Sequence, residues 1–345
     1  MMSRVFAALC GTLSLSLLPC AAGAQPLDQV GVGFVNSVSD APFLIADRKG
    51  YFREAGIKAN FINFNSGALM VAPLGAGQLD VGGGAPSAGL YNAIGRGIAI
   101  KIVADRGTDA PGYGFSPLLV RKELVTSGKF KKIADLRGMK VAEPAKGSTI
   151  APAIAKLLEQ NGLTYNDVEH VFIGFPDQVS ALRNGSIDAT VTLEPWGTQA
   201  VRDGSAVRIA GNDTFYPNQQ LAVVLYGNDF IQKRGDVARR FMVAYVRALR
   251  YYHDALKDGH LRGPTADDVV GILNQSLGVE PAILREMSPS SMSPDGRVNA
   301  VSLTADYDVY KKLGMITDDV SVERAIDMTF VDAAVKKLGP YKPRK

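Results

Sequence analysis

From residue 30 onward, short apolar runs alternate with amphipathic stretches, and the alternation restarts after residue 116. Residues 30–35, 57–63, 79–81 and 98–104 read as strands, with helices over 41–54, 68–75 and 87–95 between them. Strands separated by helical segments in this rhythm bury both faces of a mostly parallel sheet, which makes the fold α/β. The second cycle has an extended stretch at 117–121, strands at 140–142, 168–173 and 187–192, and helices at 149–161, 178–184 and 196–203. Two such cycles in a chain of 345 residues imply two domains.

After another extended stretch at 221–226, the pattern turns helical. A long helix is expected over 229–258, with Phe241, Val243, Ala244, Val246, Leu249 and Tyr252 on its apolar side. Further helical pieces follow in 264–277, 281–287, 304–313 and 327–338. A helical tail of this length needs a surface to bury itself against. The economical arrangement has the chain cross between lobes near 116–120 and 221–225. Residues 25–117 and 222–345 then form a discontinuous lobe 1, with the tail packed on it, and 118–221 form lobe 2.

The first residues set the expected compartment. Arg4 precedes an uncharged apolar stretch at 5–18, and Ala22-Gly23-Ala24 supplies a small-residue cleavage site, so 1–24 read as a secretory signal peptide. The apolar run falls short of the ~20 residues a membrane-spanning helix needs. Cys10 and Cys20 both lie in this segment, so export would leave no disulfide, thiolate metal site or cysteine nucleophile. Leu18-Pro19 before Cys20 is a poor lipobox, and a soluble periplasmic protein is expected rather than a lipid-anchored one.

The net charge of +4 is not gathered into a basic face before the Lys-rich C-terminal tail, which argues against nucleic-acid partners. His170, His253 and His260 are scattered without metal-ligand spacing, and no nucleophile elbow occurs. No cofactor, metal or catalytic residue is expected, and the chain does not read as an enzyme.

Three turns follow strands and open helices, at 36–40, 84–87 and 146–149. Ligands of open α/β sheets bind outside the carboxyl ends of strands. Helix N-termini there offer unpaired N–H groups that favour anions. Ser39, Ser87, Ser148 and Thr149 add hydroxyls, and Asp40 and Ala85 share the same turns. Ser66-Gly67 form a fourth candidate turn. Gly82-Gly83-Gly84 lacks the ending of a nucleotide loop and is expected to let the backbone approach a ligand. Glu194-Pro195-Trp196 ends a lobe 2 strand; Trp196 is expected to stack on a planar ligand and Glu194 to accept from its N–H or O–H groups. Tyr113 and Phe115 lie at the first crossing, where either cleft contact or hinge packing would suit them.

The chain resembles the nitrate/sulfonate/taurine-type substrate-binding proteins of ABC importers, related to proteins that bind thiamine-precursor pyrimidines. The resemblance rests on an ordered set of short motifs: Ser39-Asp40-Ala41-Pro42, Lys49-Gly50-Tyr51-Phe52, Gly77-Gln78-Leu79-Asp80-Val81 and Gly84-Ala85-Pro86-Ser87. It continues through Asp135-Leu136-Arg137-Gly138, Lys146-Gly147-Ser148-Thr149, Asn184-Gly185-Ser186-Ile187-Asp188-Ala189, Leu193-Glu194-Pro195-Trp196 and Leu303-Thr304-Ala305-Asp306. The resemblance implies a type II periplasmic-binding-protein fold, whose two α/β lobes close on a ligand. It also implies a monomeric receptor that passes a small molecule to an ABC permease and its ATPase. The turns favour a small organic anion, a sulfonate or aromatic carboxylate. A thiamine-precursor pyrimidine ranks second and nitrate third, because a free Glu194 would sit poorly beside a bare anion. A pyrimidine-synthesis enzyme on the same fold remains the alternative of a different class.

Overall fold

The computed structural model describes residues 26–344. The expected signal peptide and both cysteines lie outside them. Ten strands build the two five-stranded sheets: β1 Asp28–Phe34, β2 Ile57–Asn63, β3 Val81–Gly84, β4 Lys101–Thr108 and β5 Pro117–Arg121 come first. β6 Lys140–Glu143, β7 Glu169–Phe172, β8 Ala189–Val191, β9 Ala206–Gly211 and β10 Gln220–Tyr226 follow. The first sheet runs β2-β1-β3-β10-β4 and the second β7-β6-β8-β5-β9. In each sheet, one strand delivered by a crossing inserts antiparallel to its neighbours: β10 between β3 and β4, and β5 between β8 and β9. The other paired strands of these two sheets are parallel, as the alternating pattern required.

Sheet membership places the crossings at 109–116 and 212–219. Pro117 pairs in the second sheet, whereas Gln220 and Leu221 belong to the first. The two crossings run side by side. Asp109 N donates to Gln219 O at 3.1 Å, Asn218 N to Asp109 O at 2.7 Å, and Asn212 N to Ser116 O at 3.1 Å.

The expected 229–258 helix is two helices, Asn228–Lys233 and Gly235–His253. Arg234 adopts φ −133° and ψ 34° between them. Its guanidinium reaches Asp80 at 3.2 Å and the Gln29 carbonyl at 2.6 Å, so the break is anchored to the first sheet. Helix Gly235–His253 then buries Phe241, Tyr245, Leu249 and Tyr252. Phe241 stacks on Phe52 with ring centroids 4.6 Å apart, and Tyr245 lies 5.0 Å from Phe43. The helical tail thus packs on lobe 1. Its later helices also reach the second lobe, where Lys312 pairs with Glu159 at 2.5 Å and Arg202 with Glu286 at 3.4 Å.

The Gly82-Gly83-Gly84 run does not approach the cleft as expected. A Cβ on Gly83 would sit 2.9 Å from the Phe43 ring, and one on Gly84 would sit 2.5 Å from Leu225. The glycines let neighbouring side chains press onto both faces of β3, which is a packing role.

Candidate ligand-binding cleft

The carboxyl ends of β1, β3 and β4 face those of β6 and β8 across a narrow cavity. Val35, Ser66, Gly67, Ala85, Arg106, Leu221 and Ala222 line it from the first sheet's side. Pro144, Ser148, Thr149, Phe175 and Leu193 line it from the other. Backbone bonds span the lobes around it: Val38 N to Glu194 O at 3.1 Å, Ala88 N to Gly147 O at 3.0 Å, and Phe175 N to Asn65 O at 3.3 Å. The cavity so closed is about 20 Å³, room for about one water-sized sphere. A cavity of that size does not admit an organic solute as it stands.

The dominant polar group in the cavity is Arg106, which is 2% exposed and was not singled out from the sequence. It projects from the carboxyl end of β4. Its Nη1 donates to Asp40 Oδ1 at 2.5 Å and Ser39 Oγ at 2.9 Å, and Nη2 donates to the Gly84 carbonyl at 3.4 Å. Its buried Nε–H has no partner. A buried charge is tolerated only when paired and hydrogen-bonded, and Asp40 supplies the pairing. Asp40 is itself held by Val35 N at 3.1 Å and Ser37 N at 3.0 Å, the turn after β1 being closed by Asn36 in the left-handed region. Burial pushes the Asp40 carboxyl above its ordinary range, while Arg106 and the two amides pull it back.

Five residues expected from the turns line the cavity: Ser66, Gly67, Ala85, Ser148 and Thr149. Ser66 Oγ accepts from Ala68 N at 3.3 Å and Ser148 Oγ from Ile150 N at 3.4 Å, and each hydroxyl keeps its proton to donate. The Thr149 hydroxyl is committed to the Leu221 carbonyl at 3.0 Å. Gly67 has no room for a side chain, since a Cβ there would lie 2.9 Å from Ala85 N. Ser39 and Asp40 stand behind Arg106 and orient it. Ser87 caps helix Ala88–Gly95 through Leu90 N at 3.2 Å and lies off the cavity wall.

The remaining four candidates act elsewhere. Glu194 is fully buried and accepts from Arg208 at 2.7 Å and Thr198 N at 2.8 Å, so its carboxylate is not free for a ligand. Only its carbonyl meets the opposite lobe. Trp196 lies behind Phe175, the two rings 5.8 Å apart and inclined by 7°, and Phe175 presents the aromatic face to the cavity. Phe115 is buried against β4, where a Cβ on Gly107 would lie 3.0 Å from its ring. Tyr113 is half-buried in the first crossing. Both sit in the first crossing and neither is among the residues that line the cavity.

The lining thus combines the guanidinium residue Arg106, the hydroxyls of Ser66 and Ser148, and the apolar residues Val35, Phe175, Leu193 and Leu221. That set suits an anionic head on a small apolar body. With Glu194 occupied, the objection to a bare anion no longer stands. Among the described residues, no group of His, Cys, Asp and Glu is placed to hold a metal ion, and no helix is long and apolar enough to cross a membrane.

Comparison with known proteins gives a consistent picture. The chain is 28% identical over 322 residues to a Bacillus subtilis protein provisionally named for binding aliphatic sulfonates, covering 91% of this chain and 90% of that one. It is 26% identical over 243 residues to the taurine-binding periplasmic protein of Escherichia coli, covering 70% and 71% of the two chains. Its fold matches the alkanesulfonate-binding protein of Xanthomonas axonopodis pv. citri bound to MOPS, with a TM-score of 0.71, 19% identity, and 89% and 100% of the chains covered. The model of the NMT1-like family matches residues 23–260, which is more than half of the chain, and the protein belongs to that family.

Proposed function

We propose that this protein is a solute-binding receptor that captures a small organic anion, a sulfonate ahead of an aromatic carboxylate, and delivers it to an ABC importer. The observation that carries the reading is Arg106: a buried guanidinium on a residue that lines the cavity between the lobes, held by Asp40 and with its Nε–H unpartnered. The relatives named for sulfonates and taurine support the same head group, and their names lend nothing to a thiamine-precursor pyrimidine. They are binding proteins, and we read this chain likewise as one without turnover. The lobe built on the first sheet, with the helical tail, would move against the lobe built on the second about the paired crossings. We place the exported chain in the periplasm, as a monomer that meets its permease and ATPase at the inner membrane.

The test is a thermal-shift and calorimetry panel on residues 25–345 with alkanesulfonates, taurine, benzoate-type acids, nitrate and aminopyrimidines. A ligand of the folded state adds about 2.7 kcal/mol at a hundredfold excess over its Kd. A sulfonate or carboxylate should raise Tm in the parent and fail to do so in Arg106→Met. A response to aminopyrimidines alone would replace the anion reading.

A further inference from the structure

A second buried polar cluster lies at the crossings, outside the cavity. Asp109, at the start of the first crossing, accepts from Ser116 N at 3.2 Å, Ser116 Oγ at 2.5 Å and Asn212 Nδ2 at 2.9 Å. Asn212 Nδ2 also donates to Gln219 Oε1 at 2.7 Å. Gln219 in turn donates to Asp306 Oδ2 at 3.0 Å and to the Thr149 carbonyl at 2.9 Å. Asp306, on helix Ala300–Lys312, also accepts from Tyr216 at 2.7 Å. The chain of bonds therefore joins both crossings, the helical tail and a residue of the cavity wall.

We propose that Asp109, Asn212, Gln219 and Asp306 form a hinge latch that positions Thr149 and sets how far the lobes favour closure. The idea takes its clamp motion from the proposed function, and its test uses no ligand, so the two can fail separately. Asp109 and Asp306 are both fully buried, and every partner that bonds them is a neutral donor. The charged and titratable groups around them do not change this. Asp213 acts on Asp109 with like charge. Lys156, from the helix under the tail, acts on Asp306 without bonding it, and Tyr91, Tyr216 and Tyr310 are the phenols facing Asp306. Burial pushes both carboxyls up to about 7.

Opening swings Thr149 away from Gln219 and Leu221 and lets water reach the cluster. Hydration returns the carboxyls toward their ordinary range, so the closed form binds protons more tightly than the open form. By linkage, protonation favours closure, and raising the pH through neutrality favours opening.

The measurement is the distance distribution between spin labels at Asn60→Cys and Glu169→Cys, exposed positions on β2 and β7. It is made on residues 25–345, which contain no other cysteine. The closed-to-open ratio should fall about tenfold or more between pH 5.5 and pH 8.5, since the ratio changes tenfold for each pH unit by which the two forms differ in pKa. Asp306→Asn keeps an acceptor for Gln219 and offers Tyr216 an amide donor in place of the second acceptor, and it should shrink this dependence. Adding Asp109→Asn should abolish it, with circular dichroism reporting that the variants fold. A ratio in the parent that does not move with pH overturns the latch without need of any variant. So does a dependence that persists unchanged in folded Asp306→Asn.

Discussion

A guanidinium leaves water only if acceptors take its protons, and Arg106 meets that demand with Asp40, Ser39 and the Gly84 carbonyl for three of its five N–H groups, the Nε–H being among those left over. Removing one member of such a pair strands the other charge. Asp40→Ala should therefore lose about 3–5 kcal/mol of stability, read as a lower urea midpoint at unchanged m. A loss under about 1 kcal/mol would mean that water already reaches the pair. Trp196 yields a different expectation from the one its sequence position invites. It backs Phe175 rather than touching the cavity, so Trp196→Ala should cost about 3–5 kcal/mol as a core truncation. Phe175→Ala should instead weaken ligand binding more than it lowers stability. The serines of the cleft were legible because a hydroxyl at a strand-to-helix turn either caps the helix or faces the cleft, and Ser87 took the first of these uses. Arg106 was not, because a basic residue just past the end of an apolar run reads as solvated. Only the fold reveals that β4 continues to Thr108 with its end buried.

At the scale of elements, the period of the apolar residues carried most of the information, and what it missed was set by contacts distant in sequence. The helix broken at Arg234 shows this: the apolar pattern runs on through 229–258, but salt bridging to Asp80 holds the break. The Gly82-Gly83-Gly84 strand is a second case, since its glycines answer to Phe43 and Leu225 rather than to a ligand. Gly84→Ala should consequently destabilise the chain by about 1–3 kcal/mol through overpacking against Leu225, with ligand affinity per folded molecule retained. Loss of affinity at full stability would return these glycines to the cleft. Helix Gly235–His253 has the opposite logic, its aromatic face filling the space over helix Ala41–Arg48. Phe241→Ala there should cost about 3–5 kcal/mol without altering the ligand preference.

For the molecule as a whole, the doubled architecture was readable because each lobe repeats the same strand-helix rhythm, whereas the hinge chemistry was not. Asp306 lies far in sequence from Asp105 and Asp109, and all three look like ordinary exposed acids until the crossings and tail bring them inside. Burial raises them to about 6, about 7 and about 7. A carboxyl raised in the folded state supports folding fully below its unfolded value of about 4. That support is lost as the pH climbs to the folded value. Carboxyls lowered by their partners, such as Asp268 beside Lys49 and Tyr251, act in the opposite sense as the pH falls. Total stability against pH therefore mixes the two, and a paired comparison separates them. The stability of Asp306→Asn relative to the parent should be greater at pH 8 than at pH 5, by about 1–3 kcal/mol, each tenfold in proton affinity being worth about 1.4 kcal/mol. Urea midpoints at the two pH values measure it. An unchanged difference would place Asp306 in contact with water, and would remove the cost of burial on which the latch depends.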